Sequence, residues 1–145
     1  MAQQTIVASR ACYLDTGSLT PAVIATGSVA VNLDDRAGVD NADGIPTVRL
    51  ADGSNSVIYG KLDVDASNWD ALNPTSVDTD GDVTYPTMGA VIVDGIVTFP
   101  ISTVAVSDIG SGIVGAAGNT VAADADGSGK IITVSGGTAW VDLRA

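Results

Sequence analysis

The residues able to do chemistry in this chain are almost all aspartates. Seventeen acidic residues are present and all are Asp; there is no Glu, no His, and only six Lys and Arg together. Two runs set carboxylates at the alternating spacing used by oxygen-ligated cations. Asp124-Ala125-Asp126-Gly127-Ser128-Gly129-Lys130-Ile131 follows the first eight positions of an EF-hand loop, with Gly at position 6 and Ile at position 8. The twelfth position, where a bidentate Glu should close the calcium shell, is Ser135, and the flanks read as strands. In Asp78-Thr79-Asp80-Gly81-Asp82, Val83 stands where the loop needs Gly. Both runs therefore read as Asp/Gly turns. Asp78, Asp80, Asp82, Asp124 and Asp126 are the residues a calcium ion would use if one bound, but neither a metal nor a cofactor is expected.

Other patterns fail in the same way. Gly127-Ser128-Gly129-Lys130 matches the end of a phosphate-binding loop, yet Asp124 and Ile131 stand where that loop needs Gly and Ser or Thr. The segment after it reads as a strand, whereas the phosphates need the amides of a helix N-terminus. Ala37-Gly38-Val39-Asp40 is similar to one short motif of trimeric dUTP-hydrolysing enzymes, but nothing like their other motifs follows. Without histidine there is no Ser-His-Asp or Cys-His nucleophile and no imidazole metal ligand. The acidic clusters fall in expected turns, where solvent would keep their pKa values low. Cys12, beside Tyr13 in an apolar segment, reads as a small buried hydrophobe. No enzyme is expected; a β-rich one would need a pocket of convergent aspartates.

Charge narrows the partners. A net charge of −11 argues against nucleic acid and against anionic membranes, both of which require Lys and Arg. The N-terminus has neither a basic region nor a long apolar run, so no signal peptide is expected. No apolar run approaches the roughly 20 residues of a spanning helix, and a soluble protein is expected. The single cysteine excludes an internal disulfide.

The elements that would position these residues follow from composition. Aspartate bonds its own local backbone and prefers turns, and seventeen glycines point the same way. The expected fold is all-β, a compact barrel or two-sheet sandwich built from hairpins. At most one short helix is expected, near 67–73, capped by Ser67 and pinned by Trp69 and Leu72. Residues 1–20 read as an N-terminal strand or an extended arm, and 21–145 as a single β domain. Ala90–Pro100 reads as the central hairpin, turning at Asp94-Gly95, with both faces apolar. One face carries Val91, Val93, Ile96 and Thr98, the other Ala90, Ile92, Val97 and Phe99. Further hairpins are expected over 22–32 at Gly27-Ser28, over 46–64 at Asp52-Gly53-Ser54, over 75–85 at Asp80-Gly81, and over 130–143 at Ser135-Gly136-Gly137. Within Ser56–Val64, Ile58, Leu62 and Val64 share a buried face, while Val57, Tyr59, Lys61 and Asp63 share a wet one. Asp34–Gly44 reads as a surface loop, Ile101–Val106 as a strand, and 110–118 as a bent, closely packed strand.

The C-terminal half carries a resemblance. Val91-Ile92-Val93-Asp94-Gly95-Ile96-Val97, then Ile109-Gly110-Ser111-Gly112-Ile113-Val114-Gly115-Ala116-Ala117, then Val121-Ala122-Ala123, the strand Lys130–Val134 and the terminal Trp140-Val141-Asp142-Leu143 resemble small decoration (cement) proteins of tailed bacteriophage capsids. The similarity spans residues 85–143 and leaves out the Asp-rich stretches 34–44 and 76–82. It implies a structural protein without an active site that binds the major capsid protein on the outer capsid surface of the virion. It further implies a homotrimer, with a dimer as the other option, made in the host bacterial cytoplasm. Docking would fall to Thr5–Tyr13, with Ile6, Val7, Arg10 and Tyr13 as contacts and Trp140 as a second one, and residues 2–13 would be dispensable for folding. The reading from another class is a calcium-stabilised adhesion or surface-layer module using the Asp-rich turns.

Overall fold

A computed structural model of the chain describes residues 8–15, 17–36, 44–51, 57–63, 88–103 and 105–144. The fold is all-β. Five strands close a barrel: β1 (Ala8–Leu14), β2 (Ala30–Leu33), β3 (Thr47–Leu50), β4 (Gly60–Leu62) and β5 (Met88–Asp94), in the order β1-β3-β2-β4-β5. Beyond it lies a three-stranded sheet in the order β6 (Ile96–Pro100), β10 (Thr138–Asp142), β9 (Lys130–Ser135). A two-stranded sheet of β7 (Gly112–Ala116) and β8 (Thr120–Asp124) completes the body.

Two cores result. The barrel interior holds Cys12, Leu14, Leu19, Ile24, Val29, Val31, Val48, Leu62 and Val91. The second core joins barrel residues Ala30, Ala51 and Ile58 to Val97, Phe99, Ile101, Ile113, Val121, Ile131, Ala139 and Val141. The paucity of aromatics leaves both cores mainly to aliphatic side chains, with Phe99 as the large exception.

The expected central hairpin at 90–100 does not form. β5 pairs with β1 and β4, β6 pairs with β10, and Asp94-Gly95 is a bend that carries one strand from the barrel into the next sheet. Gly95 sits at φ 115, a conformation that costs glycine little, and its carbonyl accepts the Leu143 N–H at 2.9 Å. Non-local partners on the edges of both strands replace the local turn. The alternation of faces survives the bend. Val91 and Val93 turn into the barrel core, Ile92, Val97 and Phe99 into the second core, and Ile96 emerges on the outer surface. A strand that partitions two cores is apolar on both faces, as a central hairpin would be.

Other expectations shift for similar reasons. Residues 22–32 are not a hairpin: Pro21–Ile24 is one helical turn, α1, followed by β2. Pro21 suits the first helical position, and the Thr20 hydroxyl accepts the Val23 N–H at 3.3 Å. This segment is the crossover that lets β1 and β3 pair in parallel, Tyr13 opposite Thr47, and its Leu19 and Ile24 are fully buried. β3 and β4 are not hairpin partners either, because β2 lies between them. Ile101 makes only an isolated bridge to Val121, and Val106–Asp108 is a 3-10 turn, so 101–106 is not a strand. The bent strand at 110–118 does form, as β7, and Gly115 shows why it is glycine-rich. A Cβ there would lie 2.8 Å from the Ala51 backbone. The 130–143 hairpin also forms, as β9 and β10. The 67–73 helix, the 75–85 hairpin and the turn at 52–54 lie outside the described residues.

Candidate interaction surface

The residues nominated from the sequence fall in different places. Ile6 and Val7 lie outside the described residues. Arg10 is exposed on β1, and its Nη1 donates to the Tyr59 hydroxyl at 3.2 Å. Tyr13 is half-buried, opposite Met88 on β5 and Thr47 on β3. β1 is thus a stave bonded on both edges, with Cys12 and Leu14 in the barrel core. Removing residues 2–13 would therefore take away part of the barrel wall, which corrects the idea that they are dispensable for folding. Trp140 lies on β10 in the other sheet, opposite Thr98 of β6 and Thr133 of β9. Its neighbours Ala139 and Val141 point into the second core, so the indole is on the outer face.

Several polar groups are tied into the protein's own structure. Asp34 was expected in a solvated loop, yet its side chain is 1% exposed and Arg36 clamps it with bonds of 2.8 and 2.7 Å. Hydrogen bonding to Arg36 holds the Asp34 carboxyl below the usual range, while Asp34 raises the guanidinium. Arg36 also reaches Asp15 at 3.2 Å. A cleft of about 270 Å³ beside this pair is lined by Leu33, Asp34, Asp35, Gly44, Pro46 and Thr47. Its buried carboxylate is already matched. Arg144 pairs with Asp94 at 2.8 Å, tying the chain end to the β5–β6 bend. Asn119, held at φ 58, donates to the Thr26 hydroxyl and the Ser28 carbonyl, docking the β7–β8 turn onto the barrel.

Lys61 departs most from its expected wet face. It is half-buried, and its Nζ donates to the Thr98 carbonyl at 2.6 Å and lies 5.6 Å from the Phe99 ring centroid. Burial lowers its pKa. Alternation placed Lys61 correctly opposite Leu62, but the face it occupies is covered by β6. The Cys12 thiol is fully buried, as expected, and desolvation pushes its pKa up, which keeps it protonated and unreactive.

The EF-hand-like run has a structural explanation. The Asp124 carboxylate accepts the Asp126 N–H at 2.8 Å, closing a local turn between β8 and β9. A Cβ on Gly127 would strike the Ile113 backbone, and Gly129, the glycine a calcium loop would place at position 6, has φ 65 and would put a Cβ 2.9 Å from the Asp142 carbonyl, so packing accounts for both glycines. Among the described residues no group of three or more acidic or thiol side chains is placed to hold a metal ion. Asp78, Asp80 and Asp82 lie outside them. Among the described residues no helix is long and apolar enough to cross a membrane.

The surface features left over are apolar. Ile96 on β6, opposite Asp142 of β10, and Ile132 on β9 are 42% and 39% exposed, and Val106 and Ile109 stand out on and just after the 3-10 turn beside β9. Comparison of the chain with protein families, with curated proteins and with solved structures found no match.

Proposed function

We propose that the chain is a structural protein that binds the outer surface of a phage capsid and braces neighbouring capsomers, without catalysis. The major capsid protein would be its partner and the virion surface its place, after synthesis in the bacterial cytoplasm. The observation that carries this reading is the shared wall. The β5–β6 strand runs through both halves and contributes to both cores, so barrel and sheets form one stiff body. A brace must transmit load between its contacts, and two units joined by a free linker would not. The resemblance of residues 85–143 to decoration proteins supplies the class of partner.

Docking in this reading uses the chain N-terminal to the barrel, Ile6 and Val7 included, together with the exposed start of β1 around Arg10. The test respects the barrel. Deleting residues 2–7 leaves β1 intact and should abolish co-sedimentation with expanded capsid shells, while the far-UV circular dichroism stays that of a β protein. Arg10→Glu should weaken it. Full occupancy by the truncated chain would remove the assignment, and failure of the intact chain to sediment with shells would remove the reading.

A further inference from the structure

The chain passes between the two halves of the molecule at a single place. Among the described residues, those up to Asp94 build or connect the barrel strands, and those from Ile96 onward make the two smaller sheets. Gly95 alone separates β5 from β6. No hydrogen-bonded ladder crosses this point: β1 to β5 pair among themselves, β6 with β10, β10 with β9, and β7 with β8. The one backbone pairing between the halves is an isolated bridge from Val57 to Val114.

Side-chain packing and a few polar ties hold the halves together. Ala30, Ala51 and Ile58 of the barrel complete the core built by Phe99 and its neighbours. Lys61 reaches the Thr98 carbonyl, and Asn119 reaches Thr26 and Ser28. These contacts match each half to the other half of this sequence. A second copy of the chain carries the same match.

Only the bend would differ between halves packed within one chain and halves packed between two. Gly95 holds φ 115, where a residue bearing a Cβ is strained. The far end of the chain keeps the bend closed. The Leu143 N–H donates to the Gly95 carbonyl at 2.9 Å, and Arg144 forks onto Asp94 at 3.0 and 2.8 Å. Straightened at Gly95, β5 and β6 would run on as one strand. The Arg144–Asp94 pair, with one member in each half, could then be remade between chains.

We propose that Asp94-Gly95 is a hinge through which two copies of this chain exchange their C-terminal halves, residues 96–144 of each seating on the barrel of the other. The inference does not depend on shell binding. The exchanged dimer keeps both cores and every ladder, so the hinge and the chain concentration set its balance with the monomer. Glycine closes the bend without strain, which favours the monomer in dilute solution. A strained residue in so short a hinge shifts the balance towards exchange. Monomer and dimer interconvert slowly, because the second core must open each time.

Refolding the full chain from denaturant at micromolar and at millimolar concentration, followed by dilution and sedimentation, tests this. Beside the 14.4 kDa monomer, millimolar refolding should give a species of twice that mass that outlasts dilution and is lost only on unfolding. Gly95→Val should raise its fraction about tenfold. A second experiment does not rely on that variant. Val31→Asp breaks the barrel core and Phe99→Asp the second core, so each alone should lose its cooperative thermal transition. Refolded together they should regain one, in a dimer joining the sound barrel of one chain to the sound C-terminal half of the other. No lasting dimer from either the parent or Gly95→Val, a dimer that separates at once on dilution, or no dimer in the mixture would each overturn the proposal.

Discussion

The two halves of the molecule solve the same packing problem in opposite ways. The barrel is made of strands three to seven residues long whose partners are mostly distant in sequence, β1 with β5 and β2 with β4. Closure leaves it without edges. The C-terminal half is built from consecutive hairpins, β7 with β8 and β9 with β10, and shows an open sheet face to the outside. The comparison teaches that one half is closed through pairings distant in sequence while the other is assembled from local hairpins. The β5–β6 strand holds the halves together.

The sharpest way to break that picture is to attack the strand that joins them. Phe99→Ala should cost about 3–5 kcal/mol by removing the largest buried side chain and the ring beneath Lys61. Because both cores share the strand, denaturation followed by tryptophan fluorescence and by far-UV circular dichroism should remain a single coincident transition. Two separated transitions would show that the halves are independent. Gly115→Val comes next, at about 1–3 kcal/mol, since β7 can clear Ala51 only by moving off the barrel. Parent-like stability would mean that this backbone contact is loose.

The smaller effects compare two ion pairs. Asp34→Asn should destabilise by about 1–3 kcal/mol, because the Arg36 clamp loses its charged acceptor inside the protein. Asp94→Asn, on an exposed pair, should leave the melting temperature within error. The Asp34 carboxyl titrates lower folded than unfolded, so its contribution is complete above the unfolded value of about 3.9. It is lost as pH falls through the folded value. The stability of the parent should therefore drop more steeply below about pH 4 than that of Asp34→Asn. Parallel acid limbs for the two proteins would show that the clamp adds nothing.

Much of this was legible in the residues. The all-β class followed from Asp and Gly in place of Glu, and the β9–β10 hairpin from Ser135-Gly136-Gly137 between two apolar runs. The burial of Cys12 followed from its apolar segment. Alternation failed over 56–64: Ile58 and Leu62, expected on one face, enter different cores, and Tyr59, expected on the wet face, packs against the barrel core with Leu62. Lys61 does oppose Leu62, but nothing near it in sequence announces that β6 will cover it. Asp34 followed by Arg36 two residues later was a visible pairing signal within the loop, although its burial depended on packing from elsewhere in the fold.

By itself, then, the amino-acid order determined the all-β class, the alternation along β5 and β6, and the local β9–β10 turn, because a period of two and a turn propensity are properties of a few adjacent residues. Only the tertiary structure decided strand partnership. Asp94-Gly95 is a good hairpin turn by composition, yet β1, β4 and β10 compete for the same backbone groups from far along the chain. Their combined hydrogen bonds and buried aliphatic surface outweigh one local turn. That competition turned a hairpin into the wall shared by two cores and brought Ile96 to the outer surface opposite Asp142.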